Sequence, residues 1–93
     1  MDESGYTVGI TKRAAKELKK DVAHQDKDRV KEAIDALSED PRPHGCVKVK
    51  LAPKGTFRIR VGDYRVIYRV YDNEHVVIVA KVGRRSESTY KHL

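Results

Sequence analysis

The side chains of this sequence best suited to chemistry are arginines in its C-terminal half. Arg58 and Arg60 are two residues apart, Arg65 follows the pair Gly62-Asp63, and Arg85 closes a later apolar run. A guanidinium group remains charged at neutral pH, and its planar donors match the oxygens of a phosphate. Their recurrence in one stretch of the chain is typical of an anion-binding site.

The positive charge of the sequence is concentrated in the same half. Residues 1–45 contain 9 Lys and Arg against 10 Asp and Glu, whereas residues 46–93 contain 11 against 4, so the net charge of +6 arises from the second half. Such an asymmetry is typical of a surface that faces a polyanion, most simply nucleic acid. Basicity alone is equally compatible with a solvated surface that has no specific partner, so the placement of the arginines has to decide between the two.

Alternation places three of the arginines on one side of a predicted sheet. Arg58 and Arg60 alternate with the apolar residues of the run 57–61, and Arg65 lies on one side of the next run, 64–71. If helices cover the apolar face, the guanidinium groups of neighbouring strands gather on the open face. Like charges opposite one another in a sheet are destabilising, and the 4 acids of this half are too few to neutralise them. This arrangement favours anion binding.

The segments before the sheet are predicted to form a strand and two amphipathic helices. Tyr6–Ile10 alternates as a short strand, and Thr11 is positioned to cap the helix that follows. A second helix begins at Asp26 or Asp28 and is stopped by Asp40-Pro41, because the residue before proline avoids helical geometry. The apolar residues at helical spacing are Ala14, Ala15, Leu18 and Val22 in the first helix and Val30, Ala33, Ile34 and Leu37 in the second.

Four strands are predicted after the helices. Residues 47–51 alternate as one strand, and the runs 57–61, 64–71 and 75–82 form a meander whose first turn is Gly62-Asp63. Two helices with one apolar stripe each cannot form a core alone, so we expect them to pack as a hairpin over one face of the sheet. The predicted fold is α+β, with the order β-α-α-β-β-β-β and a four- to five-stranded, mainly antiparallel sheet.

Length and composition limit the number of domains, the cellular compartment and the cofactors that can be expected. With 93 residues the chain is expected to form one domain, residues 1–93. No apolar run approaches the roughly 20 residues of a membrane span, no signal segment is present, and the single Cys46 fits a reducing compartment, so we expect a cytoplasmic protein without membrane contact. The 4 histidines are scattered and glycine-rich phosphate loops are absent, so neither a metal site nor a cofactor is predicted.

Three features together resemble a known family. They are the run R-I-R-V-G-D-Y-R-V-I-Y-R-V at residues 58–70, the closing V-G-R-R at residues 82–85, and Tyr90. With the helical hairpin that precedes them, they resemble the RelE/ParE toxin superfamily, RelE branch, over nearly the whole chain. The segment around the hairpin turn is more specific for the superfamily than for the branch.

The resemblance implies a toxin of a type II toxin–antitoxin system. RelE-like toxins are ribosome-dependent mRNA endonucleases that cleave the codon in the decoding site and so inhibit translation. The implied partners are a cognate RelB-like antitoxin, mRNA on the ribosome with contacts to ribosomal RNA, and operator DNA reached only through the antitoxin complex. Two alternatives stay open: a ParE-like toxin that acts on DNA gyrase, and a weakly active or inactive member that mainly binds its antitoxin and corepresses its operon.

The resemblance also assigns residues to the reaction. Arg65 and Arg85 match arginines expected to stabilise the pentavalent phosphorane formed during RNA cleavage. Tyr90 matches a tyrosine expected to stack on a base, and a role in proton transfer is the alternative. The residues expected to bind RNA are Arg58, Arg60, Lys48, Lys50, Lys81 and Arg84.

The sequence departs from the family pattern at two positions. Arg58 and Arg60 stand where the best-known members carry lysines. Because arginine does not release its proton in proteins, neither residue suits the role of general base. We therefore expect Tyr90, Lys81 or a histidine to accept the proton, or catalysis to rest mainly on positioning and charge.

Overall fold

A five-stranded sheet organises the structure, a computed structural model that describes residues 5–84. In chain order the elements are β1 (Thr7–Ile10), α1 (Lys12–Lys20), a single 3₁₀ turn (His24–Asp26), α2 (Lys27–Ala36), β2 (Val47–Lys48), β3 (Thr56–Val61), β4 (Tyr64–Tyr71) and β5 (Val76–Arg84). The strands lie in the order β1-β5-β4-β3-β2, with β1 parallel to β5 and every other pair antiparallel. The predicted order of elements and the mainly antiparallel sheet are confirmed.

The two helices pack over one face of the sheet, as their apolar stripes predicted. α1 lies against β5, and α2 lies against β3. Each buried aliphatic or aromatic side chain contributes roughly 1.5–3 kcal/mol relative to exposure, so this single core supplies most of the stabilising free energy. The buried core consists of Ala14, Val22, Val30, Ile34, Leu37, Ile59, Val61, Tyr64, Val66, Tyr68, Val70, Val77, Val79 and Val82.

Side-chain hydrogen bonds fix the position of α1. The Thr11 hydroxyl oxygen accepts from the N–H of Ala14 at 3.1 Å, so Thr11 caps the helix as predicted. One turn later, the Glu17 carboxylate accepts from the N–H of Val82 in β5 at 2.9 Å. The first bond satisfies a backbone donor that has no partner within the helix, and the second ties the helix to the sheet.

Tyr64 connects the start of β4 to the segment between the helices. Its hydroxyl oxygen accepts from the N–H of Ala23 at 3.0 Å and its hydroxyl donates to the Asp26 carboxylate at 3.0 Å. Tyr64 is almost fully buried, and buried hydroxyl groups need such partners. A core residue of the sheet therefore also sets the path of the chain between α1 and α2.

The tight turn between β3 and β4 sets the register of the meander. Gly62 has φ +57°, a conformation that the predicted two-residue turn requires and that glycine adopts without strain. Val61 and Tyr64 pair directly across the turn. Every later pair of the hairpin follows from this one, so the turn decides which side chains of β3 and β4 lie opposite one another.

The second strand is shorter than predicted. Only Val47 and Lys48 pair with β3, whereas alternation predicted a strand over residues 47–51. The chain uses the residues after Lys48 to reverse direction, through a loop in which Gly55 has φ +90°. Because Leu51 belongs to this loop, its side chain is left 89% exposed instead of pairing in the sheet.

Two other boundaries differ by a few residues. α2 ends at Ala36 rather than near Asp40-Pro41, because the N–H of Leu37 bonds three residues back at 3.1 Å and the last turns tighten. β5 begins at Val76, because His75 has φ +54° and belongs to the preceding turn. Leu37 follows the last residue of α2 and remains in the core, so the row of buried side chains continues past the end of the helix.

A hydrogen-bonded carboxylate fastens the segment before β1 to the turn between β4 and β5. Asp72, in the turn after β4, accepts from the Tyr6 hydroxyl at 2.7 Å and forms an ion pair with Arg42. The hydrogen bond from Tyr6 is the largest cause that holds the pKa of Asp72 below its usual range, and the bond from Arg42 adds to it. This clamp joins three segments that are far apart in the sequence.

Replacing Asp72 by asparagine is expected to lower the free energy of unfolding at neutral pH and to flatten its dependence on pH. Folding lowers the pKa of Asp72, so its contribution is present above the unfolded value of about 3.9 and is lost as the pH falls through the folded value. The effect is modest because the pair is partly exposed. Urea denaturation between neutral and acidic pH measures it.

The control for this clamp is Asp63→Asn, in the turn before β4. Among the described residues, Asp63 makes neither a hydrogen bond to a side chain nor an ion pair. Its replacement should leave the free energy of unfolding at neutral pH close to that of the wild-type protein. Equal free energies of unfolding for Asp72→Asn and Asp63→Asn at neutral pH would contradict a stabilising role of the clamp.

Candidate nucleic-acid interface

Three arginines lie on the sheet face opposite the helices. Arg60 of β3 is directly opposite Arg65 of β4, and Arg58 lies two residues earlier on β3, opposite Ile67. Side chains at paired positions of neighbouring strands project to the same face of a sheet. The structure therefore brings Arg58, Arg60 and Arg65 together, as the alternation predicted, and we call these three residues the arginine cluster.

Arg65 is the most buried member of the arginine cluster. It is 8% exposed, whereas Arg58 is half-buried and Arg60 is exposed. Loss of hydration is the largest cause that lowers the pKa of the Arg65 guanidinium, and the charges of Arg58 and Arg60 lower it further. The group still stays protonated at neutral pH. An anion beside Arg65 would offset both unfavourable effects, so the electrostatics of the cluster favour binding of a phosphate.

A β-bulge in β5 adds Lys81 to the same face. The register of β5 against β4 shifts at Ala80, so that Lys81 lies opposite Ile67. Without the bulge, Lys81 would follow Val79 onto the face that the helices cover. The sequence signal is the spacing of three between the buried Val79 and Val82, which breaks the period of two. Alternation alone gave no face for Lys81, and the bulge supplies it.

Lys48 and Lys50 lie away from the arginine cluster. Lys48 pairs with Phe57, whose side chain packs against the core, so Lys48 projects to the helix side of the sheet. Lys50 belongs to the loop after β2, where both lysines line a shallow groove with Lys54. These lysines form a separate basic rim at the edge of the sheet rather than part of the cluster.

Arg84 also projects to the helix side. It pairs with Tyr64, and its guanidinium carbon lies 5.4 Å from the centroid of the Tyr64 ring, a distance typical of a cation–π contact. Lys20 and Asp21 line the same surface groove as Arg84. Arg85 and Tyr90, the other residues predicted to act in catalysis, lie outside the described residues.

Two further features are absent from residues 5–84, a metal-binding cluster and a membrane-spanning helix. Within that range, no group of three or more His, Cys, Asp or Glu side chains is placed to hold a metal ion. In the same part of the chain, no helix is long and apolar enough to cross a membrane.

A family of known toxins matches nearly the whole chain. The model of the family described as the ParE toxin of type II toxin–antitoxin systems matches residues 8–89. This chain belongs to the RelE/ParE toxin superfamily. The matched range includes both helices and the whole β2–β5 part of the sheet, so the RelE/ParE assignment covers the arginine cluster as well as the fold.

RelE proteins are similar to this toxin over nearly their whole length. The RelE1 protein of Methanocaldococcus jannaschii is 34% identical over 90 residues, which are 94% of this chain and 97% of that protein. RelE in the RelE–RelB complex from Pyrococcus horikoshii OT3 has a TM-score of 0.77 and 30% identity, covering 89% of this chain and 98% of its own. A free E. coli RelE with two arginines replaced by alanine has a TM-score of 0.73 and 27% identity. The match covers 94% of this chain and 92% of that one.

Replacing Arg60 by glutamine is expected to stabilise the unbound toxin by about 0.2–1 kcal/mol at low ionic strength, because the change removes a like charge directly opposite Arg65. Salt screens this repulsion, so the gain should shrink toward zero near 1 M NaCl, where the Debye length is about 3 Å. Urea denaturation at low and high salt measures the difference. Lys16→Gln, on the exposed side of α1, is the control, and a loss of stability in Arg60→Gln at low salt would contradict the proposed repulsion.

Proposed function

We propose that this RelE/ParE toxin is a ribosome-dependent endoribonuclease that cleaves mRNA at the codon in the decoding site. The observation that carries the proposal is the gathering of Arg58, Arg60 and Arg65, with Lys81, on the sheet face that no described helix covers. Three guanidinium groups and an amine on one surface match the phosphate oxygens of an RNA backbone. The similarity to RelE proteins along nearly the whole chain supports the same branch.

The chemistry of RNA cleavage defines what the site must supply. The 2′-oxygen loses its proton and bonds to the adjacent phosphorus, and the bond from phosphorus to the 5′-oxygen breaks as that oxygen gains a proton. Negative charge accumulates on the phosphorane oxygens between these steps. Arg65 suits this charge best among the described residues, because a desolvated cation acts more strongly than a hydrated one. Arg85 is proposed to act beside it on the basis of the family resemblance.

Proton transfer requires a group other than arginine. Arg58 and Arg60 keep their protons, so we assign them to holding the RNA backbone. Lys81 places an amine on the same face through the bulge at Ala80, and we propose it as the described residue able to exchange protons with the reacting oxygens. Tyr90 is the alternative that the family resemblance offers, and stacking on a base is its other proposed role.

The antitoxin follows from the same surface and from the relatives. The P. horikoshii and E. coli RelE proteins are known in complexes with RelB. We propose that a RelB-like antitoxin neutralises this toxin and that its acidic residues cover the arginine cluster, since negative side chains complement a positively charged surface. Operator DNA is then reached only through the toxin–antitoxin complex, and the mRNA is met on the ribosome.

Inhibition of DNA gyrase is the second candidate function. It is favoured by one observation, the match to the family model described for the ParE toxin. The two candidates differ in what the arginine cluster does. RNA cleavage needs charge at a reacting phosphate, whereas inhibition of a protein target does not require a desolvated guanidinium group at a phosphate.

Replacing Arg65 by alanine is expected to reduce mRNA cleavage by a factor on the order of 10²–10³, as for the loss of one group that stabilises developing negative charge. The assay adds purified toxin to a translating lysate and maps the 5′ ends of the mRNA fragments. Cuts should fall within codons occupied by ribosomes and disappear when translation is blocked before initiation. Arg13→Ala, on the exposed surface of α1, is the matched control and should cut like the wild type.

The outcome of that assay separates the candidates. Full inhibition of growth by Arg65→Ala, together with intact mRNA in the lysate, would contradict the endonuclease and favour gyrase, which a supercoiling assay with purified gyrase then tests. Absence of growth inhibition by the wild type, combined with tight antitoxin binding, would favour a member that only corepresses its operon.

A further inference from the structure

Gly83 of β5 lies beside the arginine cluster. Neither its backbone conformation nor its neighbours in the fold require glycine at this position. Gly83 pairs with Arg65, and a Cβ built on it meets no heavy atom within 4 Å. Its φ is outside the left-handed region that favours glycine. Glycine weakens a strand, because it loses the most backbone entropy on folding and offers no side chain to pack. Folding alone would therefore favour a larger residue here.

Other glycines of the toxin have structural reasons. Gly55 and Gly62 have φ values of +90° and +57° in the turns on either side of β3. In β1, a Cβ on Gly9 would lie 3.1 Å from the Cδ1 of Ile78, which is tighter than ordinary contact. Gly83 shows neither a demanding backbone conformation nor a crowding neighbour. The remaining reason for a glycine at this position is the close approach of a ligand to the main chain, which is a recognised use of glycine within strands.

The surroundings of Gly83 indicate what that ligand is. Arg65 lies opposite it on β4, and Arg60 lies opposite Arg65 on β3, so the three residues form a row across the sheet. Neighbouring strands are about 4.8 Å apart. Lys81 lies two residues before Gly83 on the same face of β5. The main chain of β5 therefore carries no side chain at position 83, between two positions that carry cations, and has room for one.

We propose that Gly83 is the floor of the phosphate site, where the backbone of single-stranded RNA lies directly against the main chain of β5. Arg65 and Lys81 hold the phosphate from two sides, and the absence of a side chain at position 83 lets it reach them. The inference rests on the proposed function and deepens it, because it names the point of closest approach between RNA and protein. Gly83 acts by leaving space, so it is a positioning residue.

The test adds side chains at position 83 and measures RNA binding and stability separately. Gly83→Ala and Gly83→Val are compared with the wild type for binding of a fluorescent single-stranded RNA oligonucleotide made uncleavable by 2′-O-methyl groups. Binding by Gly83→Val should weaken at least tenfold and by Gly83→Ala by less, while the urea midpoints stay unchanged or rise, since valine favours strands. Gly5→Ala is the control, because a Cβ there makes only ordinary contact, at 3.8 Å from the Ser38 carbonyl oxygen.

The salt dependence of RNA binding distinguishes a variant that has lost space for the RNA from a variant that has lost a positive charge. Gly83→Val retains every cation, so the slope of log Kd against log salt should equal that of the wild type, whereas Arg65→Ala should make the slope shallower by about one phosphate contact, or ~0.7 for a single strand. Wild-type affinity in Gly83→Val would overturn the inference and leave the proposed function intact. A wild-type toxin that neither binds the oligonucleotide nor cuts mRNA in the lysate would overturn both. If valine lowers the urea midpoint, Gly83→Ala decides, and its unchanged affinity overturns the inference.

Discussion

The alternation of β4 between the face that the helices cover and the opposite face governs the rest of the structure. Tyr64, Val66, Tyr68 and Val70 are at most 6% exposed beneath the helices, so the residues between them must emerge on the other side of the sheet. A slip of one residue in the pairing would place Arg65 beneath the helices and move the whole apolar set to the opposite face. Tyr68 adds specificity, since its buried hydroxyl donates to the Pro41 carbonyl at 2.7 Å. The face of β4 that packs in the core therefore determines which face of the sheet carries the arginines.

The fold keeps its arginines together at a tolerable free-energy cost. A like-charged pair across two strands costs on the order of 0.2–1 kcal/mol, whereas each large apolar side chain that the helices bury contributes roughly 1.5–3 kcal/mol. The core can therefore hold Arg65 beside Arg58 and Arg60 against this repulsion. In the proposed reaction, a guanidinium group that is already desolvated needs little change in hydration when a phosphate binds, which is the property that electrostatic catalysis requires.

Local patterns predicted the features that are decided locally. The order of elements, the Thr11 cap, the Gly62 turn and the common face of the arginine cluster follow from spacing within short segments. Pairing between distant segments was not predictable: β1 joins the sheet in parallel, and Asp72 binds side chains 30 and 66 positions away. The bulge at Ala80 was predictable only in part. The spacing of apolar residues shows that the alternation of β5 is interrupted, but only the pairing with β4 shows which residue is unpaired. The face of Arg84 depends on that bulge, so alternation could not assign it.

The parallel pairing of β1 with β5 also determines the order in which the toxin can fold. Thr7 pairs with Val76, 69 positions later, whereas β3, β4 and β5 are joined by short turns. Closing a long loop costs more chain entropy than closing a short turn, so contacts at large sequence separation form late. The meander that carries the arginine cluster is therefore expected to assemble first, and β1 to dock last. An intermediate without β1 would already present the basic face, while its β5 edge would still be open to another strand.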